Sequence, residues 1–66
     1  MDHITVPNDK QWLSVAEVAS YMGVSVHLVT SMLRAGAMPG IKFGREWRVA
    51  RVDLESYLNE ARRKLL

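Results

Sequence analysis

Basic side chains are concentrated in the middle of this chain of 66 residues. Between positions 34 and 51, five basic residues face a single acid, Glu46. Ammonium and guanidinium groups donate charge-assisted hydrogen bonds to phosphate oxygens, and arginine can donate two in parallel. Such a cluster predicts a surface that meets phosphates, although a run of charge is also common on a merely solvated face. The five residues are Arg34, Lys42, Arg45, Arg48 and Arg51.

The two halves of the chain carry opposite net charge. Residues 1–33 hold one lysine against three acids, a net of −2, and residues 34–66 hold eight basic residues against four acids, a net of +4. Their sum is the formal net charge of +2. The positive charge that could attract a polyanion is therefore confined to the C-terminal half.

Candidate catalytic and metal-binding groups are few. The chain has no cysteine, and His3 and His27 lie far apart without a second ligand three or four residues away. We therefore expect no metal and no cofactor. A chain of this length buries only about 60% of the surface of its unfolded form, which leaves little volume for a desolvated catalytic pocket. We expect that the protein is not an enzyme.

The sequence carries no signal for export or membrane insertion. The opening MDHITVPNDK has acids where a secretory signal needs a basic region. No apolar run approaches the roughly 20 residues of a membrane span. We expect a soluble protein of the cytoplasm, which the absence of cysteine also suits. Residues 1–11 contain Pro7 and are predicted to form a flexible tail ahead of one domain at residues 12–66.

The elements that position the basic cluster begin with a short helix. Ser14 and Glu17 have the spacing of a capping box, which starts a helix, and Gly23 is placed to end it. The apolar positions follow the spacing i, i+3, i+4 and i+7 of one buried stripe. They are Val15, Val18, Ala19 and Met22.

A second helix is predicted from the N-cap Ser25 up to Gly36. Two helices separated by so short a turn must cross steeply. The helix-turn-helix pattern has a small residue where the two helices touch, a glycine in the turn and a β-branched residue that fills the angle between the helices. The spacing of Ala19, Gly23 and Val29 matches this pattern. The core stripe of the second helix is predicted to be Val29, Met32 and Leu33.

A β-hairpin is predicted after Pro39 and Gly40, because the apolar period changes there to two. The turn is either the two-residue loop Gly44-Arg45 or a three-residue loop that includes Glu46. The face predicted to pack on the helices consists of Ile41, Phe43, Trp47 and Val49. The opposite face and the tip are predicted to present Lys42, Arg45 and Arg48.

A final helix is predicted over residues 51–64, with Asp53 and Glu55 near its positive N-terminal end. The apolar residues on one side of this helix are Leu54, Tyr57, Leu58, Ala61 and Leu65. The pattern as a whole predicts a mainly α fold with a small β-hairpin, in which the basic cluster spans the hairpin and the helix ends beside it.

Three blocks of the sequence carry a family resemblance: WLSVAEVASYMGVS at 12–25, LRAGAMPGIKFGREWRV at 33–49 and DLESYL at 53–58. Together they resemble the winged helix-turn-helix domain of the excisionase family, which is related to the DNA-binding heads of MerR-type regulators. The resemblance implies that the second helix enters the major groove and that the hairpin wing lies along an adjacent minor groove or backbone. Phage excisionases are recombination directionality factors, which assemble on attachment-site DNA, bend it and direct an integrase toward excision.

The resemblance implies two sets of DNA-binding residues. The recognition helix would offer Ser25, His27, Thr30, Ser31 and Arg34, and the wing would offer Lys42, Arg45 and Arg48. Relatives commonly have a long polar residue near positions 26 and 31, where this chain has Val26 and Ser31, and Leu28 is also apolar. Few side chains of the helix can therefore bond a base edge at two points, although contact with thymine methyl groups stays open.

The small size of the domain limits its affinity for DNA. A single module of this kind buries roughly 600–1,000 Å² on DNA, so we expect weak binding at one site. If about four basic residues meet phosphates, log K falls with log salt at a slope near −3 to −4. The expected partners are double-stranded DNA, neighbouring copies of the chain on that DNA, and an integrase, at the nucleoid of a bacterial host.

Two other functions fit the same sequence. A small MerR-like transcriptional regulator uses this domain, usually followed by a dimerisation helix or an effector domain, and the closing helix here is too short for a coiled coil. The second of these alternatives is a DNA-packaging or protein-interaction module. It would be favoured if Arg45 and Arg48 were dispensable for DNA binding while Val26 or Leu28 held a protein partner.

Overall fold

The computed structural model describes residues 10–64, in the order strand, helix, helix, strand, strand, helix. The elements are β1 (Trp12–Ser14), α1 (Val15–Met22), α2 (Val26–Arg34), β2 (Ile41–Phe43), β3 (Glu46–Ala50) and α3 (Arg51–Lys64). They form the predicted winged helix-turn-helix, mainly helical with a small antiparallel sheet. Within the described residues, no helix has both the length and the apolar character that a membrane span needs.

Local hydrogen bonds fix the boundaries of α1 and α2. Ser14 Oγ accepts from the Glu17 amide at 3.1 Å while the Ser14 amide donates to Glu17 Oε1 at 2.9 Å, which completes the capping box. Gly23 ends α1 with a φ of 73°, in the left-handed region that glycine adopts without strain. Ser25 Oγ accepts from the Leu28 amide at 3.0 Å and caps α2. The predicted caps and the tight turn between the helices are confirmed.

Among residues 10–64, the core consists of eight apolar side chains: Leu13, Val18, Ala19, Val29, Leu33, Met38, Val49 and Leu54. Ala19 of α1 and Val29 of α2 are both buried, as their predicted places at the helix crossing require. A Cβ added at Gly40 would collide with Leu33 Cδ2, so glycine lets the chain pass close to α2 on its way into β2. Met38 is buried in this connection, where neither the helical nor the strand period indicated a core residue.

In the described part of the chain, the sheet has three strands rather than the two of the predicted hairpin. Its order is β1-β3-β2, and both pairs are antiparallel. Leu13 pairs with Val49, and both are fully buried, so β1 extends the face that packs on the helices. The sequence indicated only an apolar pair at this point, because a three-residue strand is too short to display a period of two.

The faces of the hairpin differ from the prediction. Lys42 pairs with Trp47, and Ile41 pairs with Arg48. Paired residues of antiparallel strands share a face. Lys42 and Trp47 therefore lie on the side of the helices, together with buried Val49. Ile41 and Arg48 lie on the outer face. The prediction that Ile41 and Phe43 pack inward is wrong, since they are 48% and 55% exposed.

The length of the turn explains this difference. Phe43 pairs with Glu46, so the loop has only two residues, Gly44 and Arg45. The predicted face would need Phe43 opposite Trp47, which a three-residue loop provides. A slip of one residue in register moves every side chain of a strand to the other face.

Polar contacts tie the two residues before β1, Lys10 and Gln11, to α3 and α1. Arg51 donates to Gln11 O from its amide and to Lys10 O from Nε, each at 2.8 Å. Lys10 Nζ lies 2.7 Å from Glu17 Oε2 on α1. The predicted tail at residues 1–11 therefore has two residues, Lys10 and Gln11, that contact the domain, while residues 1–9 lie outside the described part of the chain.

Candidate nucleic-acid interface

The N-terminal end of α2 is suited to a phosphate. The Ser25 oxygen accepts from the Leu28 amide, and its hydroxyl hydrogen can still be donated to an acceptor outside the protein. No acidic residue lies in the first turn of α2, so no carboxylate of that turn competes for the positive end of the helix dipole. Amides at such an end favour an anion.

The outer side of α2 presents most of the predicted recognition residues to solvent. Ser25, His27, Ser31 and Arg34 are exposed, and Thr30 is half-buried. Two apolar side chains share this surface, Val26 at 49% exposure and Leu28 at 46%. Arg34 lies in the last turn and makes no hydrogen bond or ion pair with the described residues. The helix thus offers single hydrogen bonds and apolar contacts along its length, and one two-point donor at its far end.

Arg45 occupies the tip of the wing, formed by β2, β3 and their turn. Gly44 has a φ of 62°, and no non-glycine residue of the described chain has a positive φ. A positive φ at the first turn position alone is the pattern of a type II′ turn, which joins twisted strands closely. Arg45 is exposed and forms no hydrogen bond or ion pair with the described residues. Its whole charge is available to a ligand.

The other two basic residues of the wing have partners within it. Arg48 Nη1 donates to Trp47 O at 2.9 Å, and Nη2 donates to Glu46 Oε1 at 2.8 Å. Lys42 Nζ lies 5.8 Å from the centroid of the Trp47 ring, a cation–π distance that leaves its hydrogen-bond donors open. Arg48 is therefore already bonded to a carboxylate, whereas Lys42 retains its donors for a phosphate.

The sheet separates the predicted wing residues. Lys42 lies on the side of the helices, Arg48 lies on the outer face, and Arg45 lies between them at the tip. The prediction that all three project together from one face and the tip is wrong for Lys42, because the two-residue turn sets the register.

Sequence reasoning also missed the outer face of the sheet as a surface. The rings of Trp12 and Phe43 meet edge to face, with centroids 6.2 Å apart and planes at 85°. Ile41 lies on the same face and is half-exposed. The signal that could have found this surface is the pair Gly44-Arg45, because a two-residue turn with glycine first places Phe43 away from Trp47.

Comparison with known protein families agrees with this geometry. A family model described as a helix-turn-helix domain matches residues 12–62, from the start of β1 into the last turns of α3. The chain therefore belongs to the helix-turn-helix domain family, a DNA-binding family that includes excisionase-like proteins. No curated protein and no solved structure matches the chain.

Proposed function

We propose that the chain is an excisionase-type accessory factor of site-specific recombination. It binds attachment-site DNA through α2 and the wing, bends that DNA with neighbouring copies and directs an integrase toward excision. The proposal is carried by two guanidinium groups, those of Arg34 and Arg45, which make no hydrogen bond or ion pair with the described residues. They lie on α2 and on the wing, the two elements to which the excisionase resemblance assigns DNA contact. The protein supplies binding and curvature, and the integrase supplies the chemistry.

The composition of the α2 surface favours an architectural role over recognition of a single site. None of its central side chains, from His27 to Ser31, can donate two parallel hydrogen bonds to one base. Each good two-point contact contributes about 1–3 kcal/mol of discrimination between bases, so this helix discriminates weakly. A module that buries roughly 600–1,000 Å² on DNA and discriminates weakly needs neighbours to occupy its site at physiological salt.

Footprinting and bend measurements on the attachment region next to the chain's own gene test the proposal. We expect cooperative protection of adjacent sites, a bend measurable by energy transfer between end-labelled fluorophores, and more integrase-dependent excision when the protein is added. Independent binding at single sites without a bend would contradict the proposal. Binding to a dyad-symmetric operator with no effect on excision would instead identify a small transcriptional regulator.

A further inference from the structure

The outer face of the sheet carries three large apolar side chains beside the Arg48–Glu46 ion pair of its central strand, and the described residues leave these side chains about half-exposed. Trp12, Ile41 and Phe43, together called the sheet patch, are 43%, 48% and 55% exposed. They lie on the face opposite the helices. Three half-exposed side chains of this size present a surface of about 300 Å² together. The largest apolar patch on a typical monomer covers about 300–600 Å² and is often functional, so the sheet patch lies at the lower end of that range. The edge-to-face contact of Trp12 with Phe43 holds the two rings in a fixed arrangement.

A concave surface lies elsewhere on the same chain. The groove between α1 and α3 has a volume of about 580 Å³ and is called the α1–α3 groove. Its lining is Tyr21, Glu55, Leu58, Asn59, Ala61 and Arg62. Tyr21 is half-exposed, and Leu58 and Ala61 follow one another at the spacing of one helical turn. The groove is open to solvent and half of its lining is polar or charged (Glu55, Asn59 and Arg62), and its volume is large enough to admit an aromatic side chain.

We propose that the sheet patch of one copy docks into the α1–α3 groove of the next copy on DNA. This inference rests on the proposed function, in which copies bind side by side. The two surfaces share no residue and lie on different elements, so the contact is heterologous and can be repeated along a row. A symmetric contact would instead close after two copies.

The size of the patch indicates a second copy that DNA already holds in place. A stable protein–protein interface buries roughly 800 Å² on each partner, well above the 300 Å² of this patch, so the contact is too small to hold a dimer in free solution. Binding to adjacent DNA sites raises the effective concentration of the neighbour to about the millimolar range, where a small apolar contact suffices. The chain is therefore monomeric when free and cooperative when bound.

Cooperativity on random-sequence duplexes at low salt tests the contact without knowledge of the target site. The longest dimension of the molecule is 32 Å. At about 3.4 Å per base pair, duplexes of about 12 and 24 base pairs should hold one and two copies. The variants are Trp12→Ser in the patch, on β1 and outside the wing, and Ala61→Arg in the groove, both at exposed positions. We expect the second copy of the parent chain to bind the longer duplex about tenfold more tightly than the first.

Each variant alone should lose this tenfold gain while binding the shorter duplex like the parent. An equal mixture of the two variants should restore a gain of about threefold, because an intact patch meets an intact groove in one of the four possible orders of two copies. Parent-like cooperativity in either variant, or no restoration in the mixture, would overturn the contact. Failure of the parent to bind the shorter duplex would overturn DNA binding itself, whereas normal binding there without cooperativity on the longer duplex would overturn this inference alone.

Cross-linking provides a direct measure of proximity, because the chain has no cysteine of its own. In this experiment, Phe43→Cys and Ala61→Cys proteins are mixed on the longer duplex and treated with a short bis-maleimide. We expect a cross-linked dimer on the longer duplex and none on the shorter duplex. The matched control replaces Ala61→Cys with Val52→Cys, a position that is 71% exposed and outside the groove lining. Equal cross-linking in the control pair would overturn the assignment of the groove.

Discussion

Arg48 and Glu46 form an ion pair on the wing, with Nη2 of the arginine 2.8 Å from Oε1 of the glutamate. Sequence reasoning counted Arg48 as a phosphate contact and Glu46 as an isolated acid within the basic cluster. The pair changes this count, since a phosphate must compete with a carboxylate for the same guanidinium group. Exposed pairs of this kind contribute only about 0.2–1 kcal/mol, so the competition is modest but measurable.

Glu46→Gln should tighten DNA binding about twofold to fivefold, because it releases Arg48 and removes a negative charge next to the phosphates. The measurement is the dissociation constant for a short duplex at low salt. Glu60→Gln is the matched control, since Glu60 pairs with Arg63 at 3.4 Å on α3. Weaker binding by Glu46→Gln would show that the pair orients Arg48 productively.

The salt dependence of binding should report the number of cations that remain available. Arg34, Lys42 and Arg45 make no ion pair with the described residues, so the parent slope of log K against log salt should be near −2.7. In Glu46→Gln a fourth cation becomes available, and the slope should steepen to about −3.6. Equal slopes for the two proteins would contradict the assignment of Arg48 as a masked contact.

Arg45→Ala should weaken binding and make the slope shallower by about one unit, because one phosphate contact at the tip is lost. Arg63→Ala removes the same charge from a side chain that is 77% exposed on α3, and it should leave the slope nearly unchanged. The comparison separates a local contact from an effect of net charge. Equal changes in both variants would mean that the tip makes no contact of its own.

Much of the fold was predictable because its signals are local. The capping box at Ser14, the glycine at 23 and the N-cap at Ser25 each act within one helical turn, and the helices begin and end where these residues indicate. Strand β1 was not predictable, because three residues display no period. The faces of the wing depended on the choice between two turn lengths, which local sequence left open.

In the candidate site, too, the features set by local sequence were predictable and those set by contacts between strands were not. The outward positions of α2 follow from helical periodicity, and the structure exposes each of the five predicted residues except Thr30, which is half-buried. The pairing of Arg48 with Glu46 and the contact of Trp12 with Phe43 depend on register and on a third strand. Neither can be obtained from the spacing of residues within one element.

The stability of the domain should fall in acid because of Glu17. The hydrogen bond from Lys10, followed by the bond from the Ser14 amide, holds the pKa of Glu17 below its usual value of 4.5. The stabilisation is present above that value and is lost as pH falls through the lower folded-state pKa. The free energy of unfolding, measured by urea titration between about pH 6 and 3, should decrease in this window. Glu17→Gln should reduce the decrease, because it removes the carboxylate whose pKa the fold lowers.

Gly40→Ala should destabilise the domain by about 1–3 kcal/mol, because the added methyl group collides with Leu33 Cδ2. The measurement is the midpoint of urea unfolding at neutral pH. Leu33→Val shortens the opposing side chain, so the double variant should lose less stability than the sum of the two single changes. Strict additivity would indicate that the backbone relaxes away from Leu33.

The central claim is that α2 and the wing tip meet one duplex together. Amide chemical-shift changes of the ¹⁵N-labelled chain on addition of a short random-sequence duplex test it most directly. Joint contact predicts large changes at residues 25–34 and 44–46, with small changes over residues 53–60 of α3. Changes confined to α3, or to only one of the two DNA-binding segments, would contradict it.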